Sequence, residues 1–361
     1  MDTKTLLKLL VETESPSHQK AAVDRVGAIV ADKSRGTGAK VEFVSNKETG
    51  DHVIARWGGD GKPILLVCHM DTVFPLGTIG NFPYREEEGK IMGPGVSDMK
   101  ASIAISLGAI EVALKDGMTR PITLLCTSDE EIGSITSRDL IISMAREAEL
   151  TLVMEPALVD GSLKTWRKGV GGFTVKVKGR AAHSGGDHEK GRNAIEEMAH
   201  QVIAIQKLTD YAKKSTVNVG VIKGGTVSNV VPEEVEIEVD VRVLRVEEWD
   251  RIESAMKSLM PVLDGTSIEV TGGLNRPPMP FDDVMQATFR KAQVIAGEIG
   301  IELKAGGTGG ASDANLIAPL GLPVLDGLGA IGEGYHSERE YIFAGSLAQR
   351  IKLVSALMKN W

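Results

Sequence analysis

Short apolar runs alternate with helical patterns over the first part of the chain. Runs with the length of a buried strand occur at Val41–Val44, Val53–Trp57, Pro63–Cys68, Pro121–Thr127 and Thr151–Met154. Between and before them, apolar residues recur every three or four positions, which predicts helices at about Thr3–Val11, His18–Asp32, Met99–Asp116 and Ser137–Arg146. Apolar strands separated by helices indicate an α/β fold with a mostly parallel sheet and helices on both faces.

The pattern changes over residues 168–275. Alternating or apolar strands and helices follow one another at Gly172–Val177, Arg192–Leu208, Thr216–Lys223, Glu234–Leu244, Val246–Leu263 and Ser267–Thr271. This β-α-β-β-α-β order is typical of a ferredoxin-like α+β domain. The α/β character then returns with helices at about Asp283–Ile299 and Phe343–Met358 and a strand at Pro323–Asp326. We therefore expect a ferredoxin-like domain, 168–275, inserted into a larger domain formed by 1–167 and 276–361.

Composition and charge narrow the class of protein. A chain of 361 residues is too long for one small hydrophobic core and suggests two domains. The net charge of -8 gives no indication of a basic surface that would bind nucleic acid. No run approaches the roughly 18 apolar residues of a membrane span. The chain starts without an apolar signal segment, so we expect a cytoplasmic protein, with a trimmed secreted form as the alternative. Cys68 and Cys126 lie in apolar runs and are interpreted as buried thiols.

Potential metal ligands follow several of the predicted strands. They are His69 and Asp71 after Cys68, Asp98 before a helix, Glu130 and Glu131 after Thr127, Glu155 after Met154, and His336 in a C-terminal loop. Ligands of an open α/β sheet gather at the carboxyl ends of its strands, so these side chains are expected at one edge.

Each of these residues alone has a simpler explanation. Asp98 could cap a helix, and the Glu130–Glu131 pair could be a solvated turn. Gathered at one edge, however, the carboxylates would repel one another unless a cation lay between them. A mixed set of nitrogen and oxygen ligands suits zinc, with cobalt or manganese as substitutes.

Five segments in order resemble the metal motifs of the M20 metallopeptidases. They are His-Met-Asp-Thr-Val, Gly-Pro-Gly-Val-Ser-Asp-Met-Lys, Ser-Asp-Glu-Glu-Ile-Gly-Ser, Met-Glu-Pro and Gly-Tyr-His-Ser. The resemblance implies a zinc-exopeptidase-like catalytic domain with two zinc ions per subunit. It assigns Asp98 as the bridging ligand, Glu131 and His336 to one ion, and His69 and Glu155 to the other. It also implies that Glu130 is the general base and that Asp71 orients His69.

The resemblance continues into the inserted domain, which it identifies as a dimerisation domain. His183, in Gly-Arg-Ala-Ala-His-Ser-Gly, matches a histidine that stabilises the oxyanion in the partner's active site, which implies a homodimer. Asn229, Arg242 and Arg276 match carboxylate-binding positions. The glycine-rich segment 306–312 before a predicted helix near Asp313 could line the same pocket, although a tight turn explains it equally well.

These features predict a metallopeptidase that hydrolyses the amide bond next to a C-terminal residue with a free carboxylate. The resemblance is greatest to the glutamate carboxypeptidase branch, so glutamate is the expected product from small peptides or N-acyl amino acids. Arg167-Lys168-Gly169 resembles other branches, and a deacylase of N-acyl amino acids or N-acyl diamino acids is the alternative. An inactive binding protein on the same fold is the alternative of another class. A serine hydrolase is disfavoured because the chain lacks a G-x-S-x-G motif.

Overall fold

The structure is a computed structural model that describes residues 2–361, which divide into two compact units. The first unit comprises the chain up to Trp166 together with Pro280–Thr308 and Ser312–Trp361. The second comprises Arg167–Met279 and Gly309–Ala311. Each unit has its own cluster of buried apolar side chains.

The helices and strands are numbered in chain order. The helices are α1 (Thr3–Glu12), α2 (Lys20–Gly36), α3 (Thr78–Asn81), α4 (Ala101–Lys115), α5 (Arg138–Glu147), α6 (Ala194–Gln206), α7 (Val246–Lys257), α8 (Asp283–Glu298), α9 (Ala314–Ile317) and α10 (Ala344–Asn360). The strands are β1 (Lys40–Val44), β2 (His52–Trp57), β3 (Ile64–His69), β4 (Arg85–Glu87), β5 (Lys90–Met92), β6 (Ile122–Thr127), β7 (Leu150–Val153), β8 (Leu163–Arg167), β9 (Gly169–Lys178), β10 (Ala182–His183), β11 (Thr216–Gly224), β12 (Val230–Val231), β13 (Glu234–Val243), β14 (Ser267–Arg276), β15 (Ala305–Thr308), β16 (Val324–Asp326), β17 (Gly332–Glu333) and β18 (Tyr341–Phe343).

The first unit is built on a six-stranded sheet in the order β1-β2-β6-β3-β7-β16. Strand β3 pairs in parallel with β6 and β7, and β16 pairs in parallel with β7. Strands β1 and β2 pair antiparallel at one side, and every residue of β3 and β6 is buried. The mostly parallel α/β sheet predicted from the apolar runs is confirmed, and its short strands are buried as such runs require.

The second unit contains an antiparallel sheet in the order β11-β13-β9-β14, with α6 and α7 packed against it. Along β13, alternate residues such as Ile237 and Val241 are buried, while Lys176 and Glu236 form an ion pair on the other face. The predicted β-α-β-β-α-β order of an inserted ferredoxin-like domain is therefore confirmed.

Helix α7 ends at Lys257, six residues before the predicted end at Leu263. Pro261 follows closely, and a proline disfavours helical backbone in the residue before it. The N–H groups of Val262 and Leu263 donate to the carboxylate of Glu197 instead of to helical carbonyl groups. The apolar periodicity continues past Lys257 although the helix does not.

Part of the glycine-rich segment is a strand, not a loop. Strand β15 pairs with β8, and a Cβ atom on Gly307 would lie 2.0 Å from the ring of Trp166. Gly307 is therefore required by close packing against an aromatic ring, whatever the segment binds. The helix predicted near Asp313 is the short α9, which a 3-10 turn containing Pro319 follows.

No helix within residues 2–361 is long and apolar enough to cross a membrane.

Candidate metal centre

Three neighbouring strands carry candidate ligands at their carboxyl ends. Strand β3 ends at His69, β6 is followed by Glu130 and Glu131, and β7 is followed by Glu155. Because β3 pairs in parallel with both β6 and β7, these three ends lie at the same edge of the sheet. The convergence predicted from the sequence therefore exists in the first unit.

His69 lies at the centre of this edge, with its side chain only 1% exposed. Its Nε2 faces Asp98 Oδ1 at 3.1 Å and Glu155 Oε1 at 3.7 Å. Its Nδ1 lies 3.0 Å from the carbonyl oxygen of Asp71 and 3.4 Å from the Asp71 carboxylate. Two oxygens of Asp71 thus hold the ring so that Nε2 points at the carboxylates.

Asp98 lies between the two histidines. While Oδ1 faces His69, Oδ2 lies 3.3 Å from Nε2 of His336, which is also 3.3 Å from Glu131 Oε2. Helix α4 begins only at Ala101, and Asp98 has extended rather than helical backbone angles. Because Lys100 and not Asp98 occupies the N-cap position of α4, Asp98 does not cap this helix, and its carboxylate is placed to join two groups of candidate ligands.

Asp71 is completely buried and accepts hydrogen bonds from three other groups. Its Oδ1 accepts the N–H of Glu130 at 3.2 Å. Its Oδ2 accepts the N–H of Glu131 at 3.2 Å and the hydroxyl of Ser17 at 2.7 Å. Asp71 was predicted to orient His69, and in the structure its carboxylate also accepts hydrogen bonds that position both consecutive glutamates.

His336 lies in a hairpin loop between the paired strands β17 and β18. Glu340, at the end of this loop, is completely buried. Its carboxylate accepts the N–H groups of Gly95 at 3.2 Å, Ser97 at 2.7 Å and Asp98 at 2.9 Å. One loop therefore supplies His336 and also fixes the backbone that carries Asp98. The sequence did not predict this role for Glu340. Its neighbours in Ser-Glu-Arg-Glu are polar or charged, so it resembles an ordinary exposed glutamate.

We expect Glu340→Ala to weaken metal binding about 10–100-fold, because the backbone amides at Asp98 lose the acceptor that holds them. Titration of the metal-free protein with zinc, read by calorimetry, measures the change. Glu340→Gln, which keeps one carbonyl acceptor, should bind metal more tightly than the alanine variant. The control is Glu338→Ala, since Glu338 is an exposed residue of the same loop. Equal affinity of Glu340→Ala and the parent would contradict this role.

The charged groups of the site shift one another's pKa. Burial alone would lower the pKa of His69, but Asp71 and Asp98 raise it well above its usual range. Asp98 and Glu131 raise the pKa of His336 to about 10. Burial raises the pKa of Glu131 to about 7, and the charge of Asp98 adds to this. Burial would also raise the pKa of Asp98, but hydrogen bonds from His336 and His69 hold it well below its ordinary value. The cluster of carboxylates therefore favours positive charge at this edge of the sheet, and a divalent cation bound there would supply it.

The donor set fits divalent metal ions. His69, Glu130 and Glu155 bring one ligand atom each within 4.8 Å of one another, and His69, Asp98 and Glu131 do the same. Oε1 of Glu131 is buried without a hydrogen-bond partner among the described residues. A buried carboxylate oxygen without a partner is unfavourable, and a metal ion at this position would satisfy it.

The predicted substrate-binding residues all belong to the second unit. His183 accepts the N–H groups of Gly185 and Gly186 at Nδ1, and the N–H of Ser184 donates to the carbonyl of Asn229. Both His183 and Asn229 are exposed. The structure therefore places this pair close together on the surface of the second unit.

Arg242 and Arg276 lie opposite the same residue, Val170, on the strands either side of β9. Arg242 is half-buried and donates to Asp240, while Arg276 is buried. Burial lowers the pKa of Lys168, and the charges of Lys214 and Arg242 lower it further. Lys168 and Lys214 thus add to a cationic region that the sequence analysis described only by its two arginines.

Two sequence profiles match parts of the chain. The Peptidase dimerisation domain matches residues 165–264, which lie largely in the second unit. Peptidase family M28 matches residues 52–207, a range that contains His69, Asp98 and the two glutamates.

The chain is 33% identical to carboxypeptidase G2 from Pseudomonas sp. over 325 residues, which cover 86% of this chain and 77% of the relative. It is 31% identical to a Peptidase M20 domain-containing protein of Schizosaccharomyces pombe over 66% of this chain and 60% of the relative. An M20 family metallo-carboxypeptidase from Sulfolobus solfataricus superposes with a TM-score of 0.78, at 18% identity and 99% coverage of both chains. The similarity to the Sulfolobus solfataricus structure shows the fold, and the identity to carboxypeptidase G2 shows the family. The chain is a member of the M20 metallopeptidases, a metal-dependent family of hydrolases, and is related to carboxypeptidase G2.

Proposed function

We propose that the chain is a two-zinc exopeptidase that releases a C-terminal glutamate from small peptides or N-acyl amino acids. The observation that carries the proposal is the position of Asp98. Its two carboxylate oxygens face different imidazoles, and each imidazole has a second carboxylate of its own, Glu155 beside His69 and Glu131 beside His336. One shared carboxylate between two ligand pairs is the arrangement that two neighbouring ions need.

Glu130 is the proposed general base. It is buried beside His69 and Glu155, and Asp71 holds its backbone N–H. Zinc ions at this site would polarise the scissile carbonyl and acidify the attacking water. The Glu130 carboxylate accepts a proton from that water and afterwards donates it to the leaving amine. Glu131, whose backbone N–H donates to the same Asp71, stays a ligand, so consecutive residues have separate roles.

The cationic region of the second unit supports a leaving residue with more than one carboxylate. Arg276, Lys168 and Lys214 are cationic in addition to Arg242, whose guanidinium already donates to Asp240. Arginine binds a carboxylate through two parallel hydrogen bonds. Glutamate, with its α- and γ-carboxylates, matches this region better than a residue with an apolar side chain.

The substrate proposal is tested by comparing kcat/KM for an N-acyl glutamate and for its α-amide. We expect the parent enzyme to prefer the free acid strongly, because a neutral amide cannot accept the two parallel charge-assisted hydrogen bonds that a guanidinium donates to a carboxylate. Arg276→Ala should lose most of this preference and Arg276→Lys should keep part of it, whereas the exposed Arg245→Ala serves as the control. Equal hydrolysis of acid and amide by the parent would refute the assignment.

The second unit is also the proposed site of homodimerisation. Strand β11 is an edge of the sheet, and Val221 and Ile222 on it are 37% and 59% exposed. Ile195 and Ile203 of α6 are 46% and 58% exposed. An edge strand with exposed apolar side chains is a surface that proteins normally cover, and a second copy of this chain would cover it.

A mixed dimer tests whether His183 acts on the partner's metal centre. Neither a His183→Ala chain nor a Glu130→Gln chain should be active as a homodimer. Mixing them should recover part of the activity, because one centre of each mixed dimer then has an intact Glu130 and the partner's intact His183. Activity is measured after subunit exchange, with mixed dimers identified by mass spectrometry. Absence of recovery in proven mixed dimers would contradict the cross-subunit role.

A further inference from the structure

A cavity of about 410 Å³ in the first unit lies directly beside the metal centre. Its walls include the apolar side chains of Pro16, Val73, Pro75, Leu76 and Ile132, together with Glu131. Val73 and Leu76 are 42% and 51% exposed, although both are large apolar residues. A concave apolar site of this size, with a few polar groups at one end, is typical of a small-molecule binding site.

The cavity is held open by contacts that do not depend on a ligand. The N–H of Thr72 donates to the carbonyl of Ser15 at 2.8 Å, which ties the two walls together at one end. At the other end, the N–H groups of Gly77 and Ile79 donate to the carboxylate of Glu14 at 2.9 and 3.0 Å. The segment carrying Val73 and Leu76 is thus anchored on both sides, and its apolar side chains face the cavity between the anchors.

The charge of the lining indicates which part of a substrate enters. No lysine or arginine is among the described residues that line the cavity, and the exposed His18 is the only other side chain there able to carry positive charge. Glu131 places a carboxylate at its end. An acidic leaving residue would find no lysine or arginine in this lining to pair with its carboxylates, whereas an apolar group needs no such partner.

We propose that this cavity binds the acyl part of the substrate and takes an apolar aliphatic or aromatic acyl group. This inference rests on the proposed amide hydrolysis at the adjacent centre. Glu131 is both a wall of the cavity and a partner of His336, so the cavity adjoins the metal centre and an acyl group whose carbonyl lies at the centre is within reach of its apolar walls. The cavity therefore sets the acyl specificity of the proposed hydrolysis.

The first experiment measures kcat/KM for N-acetyl, N-butanoyl, N-hexanoyl and N-benzoyl glutamate with the zinc-loaded enzyme. We expect kcat/KM to rise about fourfold per added methylene until the cavity is filled. Leu76→Lys should abolish this rise, change the acetyl substrate by no more than about twofold, and favour succinyl over butanoyl. Ile135→Lys is the matched control, because Ile135 is 67% exposed on the same unit and does not line the cavity.

The second experiment measures the binding of acetate, butanoate and hexanoate to the same proteins by calorimetry. In the parent and in Ile135→Lys, affinity should increase with chain length, and in Leu76→Lys it should not. Hydrolysis without any dependence on acyl length would overturn the acyl site and leave the proposed function. Binding that depends on chain length, without hydrolysis of any substrate, would support the acyl site and overturn the proposed function. If neither hydrolysis nor binding depends on chain length, the cavity is not an acyl site.

Discussion

Replacing Glu130 with glutamine is expected to lower kcat by about 10²–10⁴-fold while leaving the metal content of the protein unchanged. The amide is nearly the same size as the carboxylate, and the backbone N–H of residue 130 can still donate to Asp71. The amide cannot accept the proton of the attacking water, however, so the loss falls on the chemical step. Steady-state kinetics combined with elemental analysis of the same sample measures both quantities.

The adjacent residue provides a matched control. Glu131→Gln changes the same functional group one position along the chain, but Glu131 Oε2 faces His336 and its Oε1 is buried without a partner. We expect this variant to lose metal, with activity that excess zinc restores in part. If Glu130→Gln kept near-normal kcat, or lost its metal as Glu131→Gln does, Glu130 would not be the base.

The second large effect concerns metal removal. Prolonged chelation is expected to abolish turnover, and zinc or cobalt should restore it, with two ions bound per chain at full activity. His336→Ala should reduce the content by one ion, because among residues 2–361 the carboxylates that pair with His336 are those of Asp98 and Glu131, whereas Glu155 pairs with His69. Asp98→Asn should reduce it by more than one, since both imidazoles face Asp98.

Metal content is measured by mass spectrometry of dialysed protein, with activity followed in parallel. The control is Glu338→Ala, an exposed change in the His336 loop that should leave both values unaltered. Full turnover by rigorously metal-free protein, or saturation of activity at a single ion, would contradict a two-ion centre.

The parts of the fold that apolar periodicity encodes were predictable. Strands β3 and β6 are mostly apolar runs of six residues that each follow a proline, and this short length with a preceding turn residue favours a buried strand over a helix. The positions of His69 and Glu131 could be predicted as well, because parallel strands bring their carboxyl ends to one edge and the ligand residues follow those ends directly.

Other features depend on contacts between distant residues. Glu340 accepts the N–H of Gly95 across 245 positions, and no local pattern distinguishes that carboxylate from its exposed neighbour Glu338. The strands β17 and β18 that frame the loop have two and three residues, too few to show a period. The sequence indicates Lys168 only as part of the segment Arg167-Lys168-Gly169. Its proximity to Arg242 arises when distant parts of the chain pair in the sheet, which the local sequence does not show.

The discontinuity of the first unit sets an order in which the molecule can be made. The second unit, apart from Gly309–Ala311, is one continuous stretch of chain and can fold while synthesis is still under way. The six-stranded sheet of the first unit can be completed only after β16 has been synthesised. The cluster around Asp98 can be completed only after His336 and Glu340 have been synthesised. The chain through Glu340 must therefore leave the ribosome before a metal ion can meet all of the candidate ligands, so the centre cannot assemble on a shorter nascent chain.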